Sequence, residues 1–237
     1  MPRKPTKEPS RKRSPLAWLR RWSLWTLITG ALVMGAASLW HGFVAPPGPT
    51  FYMKQEARRL GQIAYVWTPI DDIAPVMARA AVAAEDANFC NHWGFDMRAI
   101  REVLERGGAR GASTISQQTV KNVYLWHGRS WPRKALEAAM TPVVETAWSK
   151  RRIIEVYLNV AEFDEGIFGV GAAARHYFGV NAADLTDRQA ARLAAILPDP
   201  KNRSASQPSD WVRKRAASIM DGAATIRRDG RAACFED

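Results

Sequence analysis

Between Trp22 and Val44 the chain has 23 residues without a single Asp, Glu, Lys or Arg, and the only ionisable side chain there is His41, near the far end. Few features constrain a chain more. An apolar helix of about 20 residues is long enough to cross the hydrocarbon core of a bilayer. Trp22, Trp25 and Trp40 lie near the two ends of the run, where interfacial aromatics settle. Ahead of it, residues 1–21 carry eight basic side chains against Glu8, a net +7 out of a formal +11 for all 237 residues. A basic flank before a span holds the N-terminus in the cytoplasm and sends the rest across. A cleaved signal peptide has a shorter apolar core and a small-residue cleavage site, and no convincing site of that kind precedes Pro46-Pro47. A basic tail also suits a nucleic-acid arm. Its position beside a span favours topology and anionic lipid head groups instead, so membrane lipids are expected partners and nucleic acid is not.

The expected organisation is a cytoplasmic basic tail (1–21), a transmembrane helix (22–44), a Pro-rich linker (45–50) and one mostly helical exported domain (51–237) without internal repeats. Pro75, after Asp71 and Asp72, opens an alanine-rich helix to about Glu85. Asp96 caps a helix that ends at Gly107-Gly108. Ser113 or Thr114 caps the next, to about Leu125. Pro132 opens another, to about Trp148. Helical spacing recurs at 150–159, and further helices are expected near 168–178, 186–196 and 208–228. Strand-like alternation is weak and confined to Ile63–Trp67. Nothing alternates as a Rossmann-type sheet would.

Four local features bear on chemistry, each with a plainer reading beside it. Glu85-Asp86 ends an apolar helix, where partial desolvation raises a carboxylate's pKa toward the working range of a base; a solvated helix end is the alternative. Gly111 to Gln118 gathers small and hydroxyl residues before a helix, either an anion site with Lys121 nearby or ordinary capping. Arg129, Arg133 and Lys134 suit phosphate, with Glu137 a turn later; a surface charge ladder is the alternative. Glu155-Val-Tyr-Leu-Asn159 precedes Gly166, Gly169 and Gly171, whose density permits a tight loop or close backbone approach. His92 and His176 have no partner at metal-ligand spacing. Cys90 and Cys234 stand 144 positions apart; an exported domain is able to oxidise them to a disulfide, and two free thiols remain the alternative.

Residues 78–200 resemble the peptidoglycan glycosyltransferase domain, glycosyltransferase family 51. Five blocks in the family's order carry the resemblance: Glu85-Asp86-x-x-Phe89-x-x-His92-x-Gly94; Gly111-x-Ser113-Thr114-Ile115-x-Gln117-Gln118-x-x-Lys121-Asn122; Arg133-Lys134-x-x-Glu137; Glu155-x-Tyr157-Leu158-Asn159 with Gly166 and Gly169-Val170; and Leu185-Thr186 through Ala194-Ala195-Ile196-Leu197-Pro198. The resemblance implies a mainly α, lysozyme-like fold, with a large lobe and a small membrane-facing jaw. It implies polymerisation of lipid II, with Glu85 as general base and Glu137 as the second catalytic glutamate, supporting the donor diphosphate or its metal. Asp86, His92, Ser113, Thr114, Gln117, Lys121, Asn122, Arg129 and Arg133 are then expected to bind substrate, and Mg2+ or Mn2+ suits a diphosphate. The chain departs from the family pattern at Ser116, Cys90, Gln189 and Arg129 without losing a proposed catalytic group. Neither Ser-x-x-Lys nor Lys-Thr-Gly occurs, so the match is to monofunctional members, without transpeptidase activity. Those sit in the bacterial inner membrane with a periplasmic domain, acting on lipid II and the growing strand, in the company of elongation or division proteins. A lysozyme-like hydrolase or lytic transglycosylase, and a non-catalytic membrane-tethered scaffold, are the competing readings.

Overall fold

The computed structural model describes residues 15–43, 46–105, 107, 111, 113–128 and 130–236. Helix α1, Pro15–Phe43, begins seven residues before the apolar run. Residues expected to lie in the basic tail therefore extend the same helix; those before Pro15 lie outside the described residues. Within α1, Arg21–Gly42 is long and apolar enough to cross a membrane, and only 7% of its most apolar window is buried. It is thus no core helix.

The chain from Ser38 onward forms a compact unit of its own. Its elements are α2 (Phe51–Leu60), β1 (Ala64–Tyr65), α3 (Pro75–Glu85), α4 (Met97–Glu105), α5 (Ile115–Tyr124), α6 (Trp131–Ala147), α7 (Lys150–Val160), β2 (Glu162–Asp164), β3 (Ile167–Phe168), α8 (Val170–Phe178), α9 (Asp187–Ile196), α10 (Asp210–Arg228) and α11 (Ala233–Glu236). The mainly α expectation holds. Thr50, Thr114, Ser130, Ser149, Thr186 and Ser209 each accept the backbone N–H three residues on, the local bond that starts a helix.

Two helical clusters make the core. The alanine-rich faces of α3, α9 and α10 pack together, and α5 packs between α6 and α7. Ala80, Ala81, Ala190, Ala191, Ala194 and Ala195 are all buried; small side chains let helix axes come close. Ile153, Ile154, Tyr157 and Leu158 of α7 are almost fully buried, and truncating any of the aliphatic ones to Ala costs about 2–5 kcal/mol.

The sheet has the order β1-β3-β2, with β1 parallel and β2 antiparallel to β3. It forms because Asn159 fastens the segment after β1: its Oδ1 accepts from the Thr68 N–H at 2.7 Å and its amide donates to the Thr68 carbonyl at 2.8 Å. Glu155 accepts from the Ile70 N–H at 3.0 Å. Gly169 has φ +83°, and a Cβ there would meet the Asn159 carbonyl at 2.9 Å. The Glu155–Asn159 block with its glycines is thus architectural. Cys90 and Cys234 are paired in a disulfide; on the loop-entropy account, closing so long a loop is worth about 4–5 kcal/mol.

Candidate active site

Glu85 is the last residue of α3 and projects into a cleft of about 670 Å³, together with Ser113, Gln118, Arg203, Trp211, Lys214 and Arg215. Its Oε2 accepts a hydrogen bond from the Gln118 amide at 2.9 Å. Withdrawal from water raises its pKa above the usual carboxylate value. The Gln118 bond and the positive charges of Arg215 and Lys121 pull it partly back, and the neighbouring Asp86 raises it. The result is a carboxylate with more than ordinary proton affinity, open to a ligand and held by a neutral amide.

Gln118 is placed by the start of α5. Thr114 caps that helix, and Gln117 Oε1 accepts from the Thr114 N–H at 3.1 Å. The Asp86 carboxylate takes the Ile115 N–H at 2.9 Å with one oxygen and meets His92 Nε2 at 2.8 Å with the other. Thr114 also donates to the Gly94 carbonyl at 2.7 Å. Gly94 has φ +83°, and a Cβ there would lie 2.5 Å from the Thr141 methyl. The helix start that resembled an anion site is therefore filled by the protein's own anion. Asp86, His92, Thr114 and Gln117, expected to bind substrate, are turned inward: Asp86, Thr114 and Gln117 are buried, the His92 side chain is nearly so, and His92 Nδ1 has no hydrogen-bond partner among the described residues. Their bonds to one another and to the Ile115 N–H set the start of α5 and with it the position of Gln118.

Glu137, on α6, is buried and receives two cations: Arg133 Nη1 at 2.8 Å, and Lys134 Nζ. Lys134 also donates to Ser113 Oγ at 2.9 Å, and Arg133 Nε donates to the Gly128 carbonyl at 2.8 Å. Half-buried Lys121 has its pKa lowered by desolvation, with Glu137 and Glu85 opposing the shift and Arg133 and Lys134 adding to it. Lys121 thus feels both glutamates. Asn122 leaves its Oδ1 without a hydrogen-bond partner among the described residues. Arg129 lies outside the described residues.

Two parts of the site escaped the sequence reading. One is the far wall of the cleft, from the loop after α9 and the start of α10: Arg203 lies 4.1 Å over the exposed Trp211 ring, and Arg215 donates to the Ala84 carbonyl at 2.8 Å. The basic run Arg213-Lys214-Arg215 beside Trp211 was its only local signal. The other is a brace behind the site, where Glu145 takes Ser116 Oγ and Lys150 Nζ, and Lys150 also reaches the His92 carbonyl at 2.8 Å.

The domain is mainly helical, and its cleft sets a partly desolvated carboxylate near several cations. The transglycosylase family model matches residues 54–224, and the chain belongs to that family, with its lysozyme-like fold. The chain is 60% identical over 236 residues to the biosynthetic peptidoglycan transglycosylase of Jannaschia sp. (strain CCS1), a match covering 98% of this chain and 97% of that one. It is 46% identical over 211 residues to the protein of the same description from Rhodospirillum centenum (87% and 91% covered), and 45% identical over 212 residues to that of Caulobacter vibrioides (88% and 91%). Its activity is accordingly peptidoglycan transglycosylation, and α1 fits a membrane-anchored enzyme.

Proposed function

We propose that this chain polymerises lipid II, with Glu85 as the general base. Glu85 takes the proton of the acceptor's GlcNAc 4-hydroxyl. The freed oxygen attacks the anomeric carbon of the donor MurNAc, and undecaprenyl diphosphate leaves with inversion. Lys121, Arg133 and Lys134 balance the charge that builds on the leaving group, the electrostatic half of the reaction, and Glu137 holds two of those cations in place. The observation that carries this reading is the Glu85 carboxylate in an open cleft, bonded to the neutral Gln118 amide at 2.9 Å and raised in proton affinity by burial.

The residues present do not fit a protein-held Mg2+ or Mn2+. Among the described residues no three His, Cys, Asp or Glu side chains converge as a metal site, and Glu137 already faces two cations. No step is assigned to a metal; a divalent ion would enter with the diphosphate. The basic flank before α1 supports an N-terminus in the cytoplasm and a catalytic domain in the periplasm. Met97 and Leu104 of α4, both exposed, suit a face turned to the bilayer, where such a substrate resides.

Polymerisation of labelled lipid II by wild type and Glu85→Gln tests the reading. Glycan chains from the wild type and a loss of at least ~100-fold in the variant are expected. An active Glu85→Gln overturns the mechanism, and muropeptides released from sacculi would mean cleavage instead. No acylation by penicillin is expected.

A further inference from the structure

The end of the chain grips the Glu85 segment on both sides of the carboxylate. Before it, Arg79 of α3 pairs with Glu236 at 2.5 Å. After it, the Arg231 guanidinium donates to the Ala87 carbonyl at 3.1 Å, the Phe235 ring lies 6.2 Å from that of Phe89, and Cys234 is bonded to Cys90. The gripping segment is itself secured: Arg151 of α7 donates to the Phe235 and Glu236 carbonyls at 3.2 and 3.4 Å, and Phe235 is buried. At four residues, α11 is too short to persist as an isolated helix, so these fastenings hold it.

The loop it secures matters twice over. Residues 86–92 follow directly on Glu85, and their Asp86–His92 pair also fixes the start of α5, which carries Gln118. A shift in this loop moves both the base and the amide that orients it. A terminal staple that only added stability would have no need to converge on this segment.

We propose that the Cys90–Cys234 disulfide is a positioning device for the catalytic carboxylate, closed by dithiol oxidation after export, so that the reduced chain folds but turns over slowly; this rests on the reading of Glu85 as the base. The closing step is a thiol–disulfide exchange. One cysteine thiolate attacks the disulfide of a thiol oxidant and forms a mixed disulfide. The second cysteine displaces it, the two cysteines lose two protons and two electrons in all, and the oxidant leaves as two thiols. The chain has only two cysteines, hence one intramolecular pairing, so an oxidant suffices without a disulfide isomerase. Competence then waits on export of both cysteines, which stand 144 positions apart.

The test uses the full chain in lipid vesicles, oxidised or reduced with dithiothreitol, with thiols counted by maleimide labelling. Polymerisation of lipid II is followed across pH, and helix content by circular dichroism. Reduction should lower kcat about tenfold, short of the ~100-fold that a 1 Å misplacement can cost. KM should stay constant, the acid limb of the pH profile should move, and re-oxidation should restore the rate. The double variant Cys90→Ala, Cys234→Ala should match the reduced enzyme and ignore the reductant. Arg231→Ala, which leaves the disulfide intact, should lose roughly threefold in kcat on the same positioning account. A reduced enzyme and a double variant with wild-type kcat and pH profile would overturn the proposal. So would loss of helix content on reduction combined with wild-type kcat in Arg231→Ala, since the bond would then be a staple alone. An active Glu85→Gln would sink the base reading and this proposal with it. An inactive Glu85→Gln beside a redox-insensitive wild type would sink this proposal alone.

Discussion

Glu85 and Glu137 are carboxylates drawn away from bulk water, yet their surroundings are opposite. Glu85 meets a neutral amide and an open cleft. Glu137 meets Arg133 and Lys134, with both of its oxygens engaged. Burial without a direct counter-ion raises proton affinity; a carboxylate bonded to two cations holds them in place. On the proposed mechanism, the difference separates the group that exchanges a proton with a sugar hydroxyl from the one that aims positive charge. Ser113 and Lys121 join the two environments: Ser113 lines the cleft and accepts from Lys134, and Lys121 feels the field of both glutamates.

The comparison breaks most decisively at Glu85, where Glu85→Gln should cost at least ~100-fold in lipid II polymerisation. Glu137→Gln should do less: a loss of roughly tenfold, with the pH profile unchanged because Glu85 and its Gln118 bond are left in place. It should also destabilise the fold by about 1–3 kcal/mol, as a charge-assisted pair becomes a neutral contact; thermal unfolding and a rate–pH series measure both. Equal losses in the two variants, or a shifted profile in Glu137→Gln, would erase the distinction.

The pH series sharpens it further. Because burial raises the Glu85 pKa, the base holds its proton to higher pH than an ordinary carboxylate does. Activity should therefore rise with pH through a midpoint above that of an ordinary carboxylate and be lost below it. Gln118→Leu removes a bond that favours the ionised form, so the acid limb should move to higher pH; a downward move would mean that Gln118 supports the protonated form. The smallest functional effect belongs outside both environments. Asn159→Ala should leave kcat unchanged while costing about 1–3 kcal/mol through the unpaired Thr68 backbone groups, roughly 5 °C in Tm. A fall in kcat without a fall in Tm would tie the Thr68 segment to the chemistry.

What the sequence disclosed and what it withheld follow from the range of the interactions. Helix starts are local: Pro75, Asp96, Thr114 and Pro132 announce themselves within a few residues, and the helices begin there. Glu85 was visible because its apolar helix ends at it. The sheet was nearly invisible, since strands of two and three residues carry no alternation and β1 pairs with a strand about a hundred positions away. The Cys90–Cys234 pairing, the Arg203–Trp211 wall and the tie from Lys150 to the His92 carbonyl are likewise made by contacts that join segments distant in sequence or separated by a loop. The inward turn of Asp86 and His92 is the most instructive case. Their motif marked them for the site, and only the geometry separates holding a helix start from touching a ligand.

Helix α4 has no buried residue along Met97–Glu105. Met97 and Leu104 are exposed, and the side chains turned toward the protein, Ala99, Ile100 and Val103, are only partly covered. In water such a segment lacks the apolar contacts that make unfolding cooperative, and belongs to the low-stability end of the molecule. Its backbone amides should exchange hydrogen with solvent far sooner than those of α7, even though both segments are helical. A surface that covered Met97 and Leu104 would slow that exchange without adding one contact inside the protein. For this helix, native stability is a property of what it lies against.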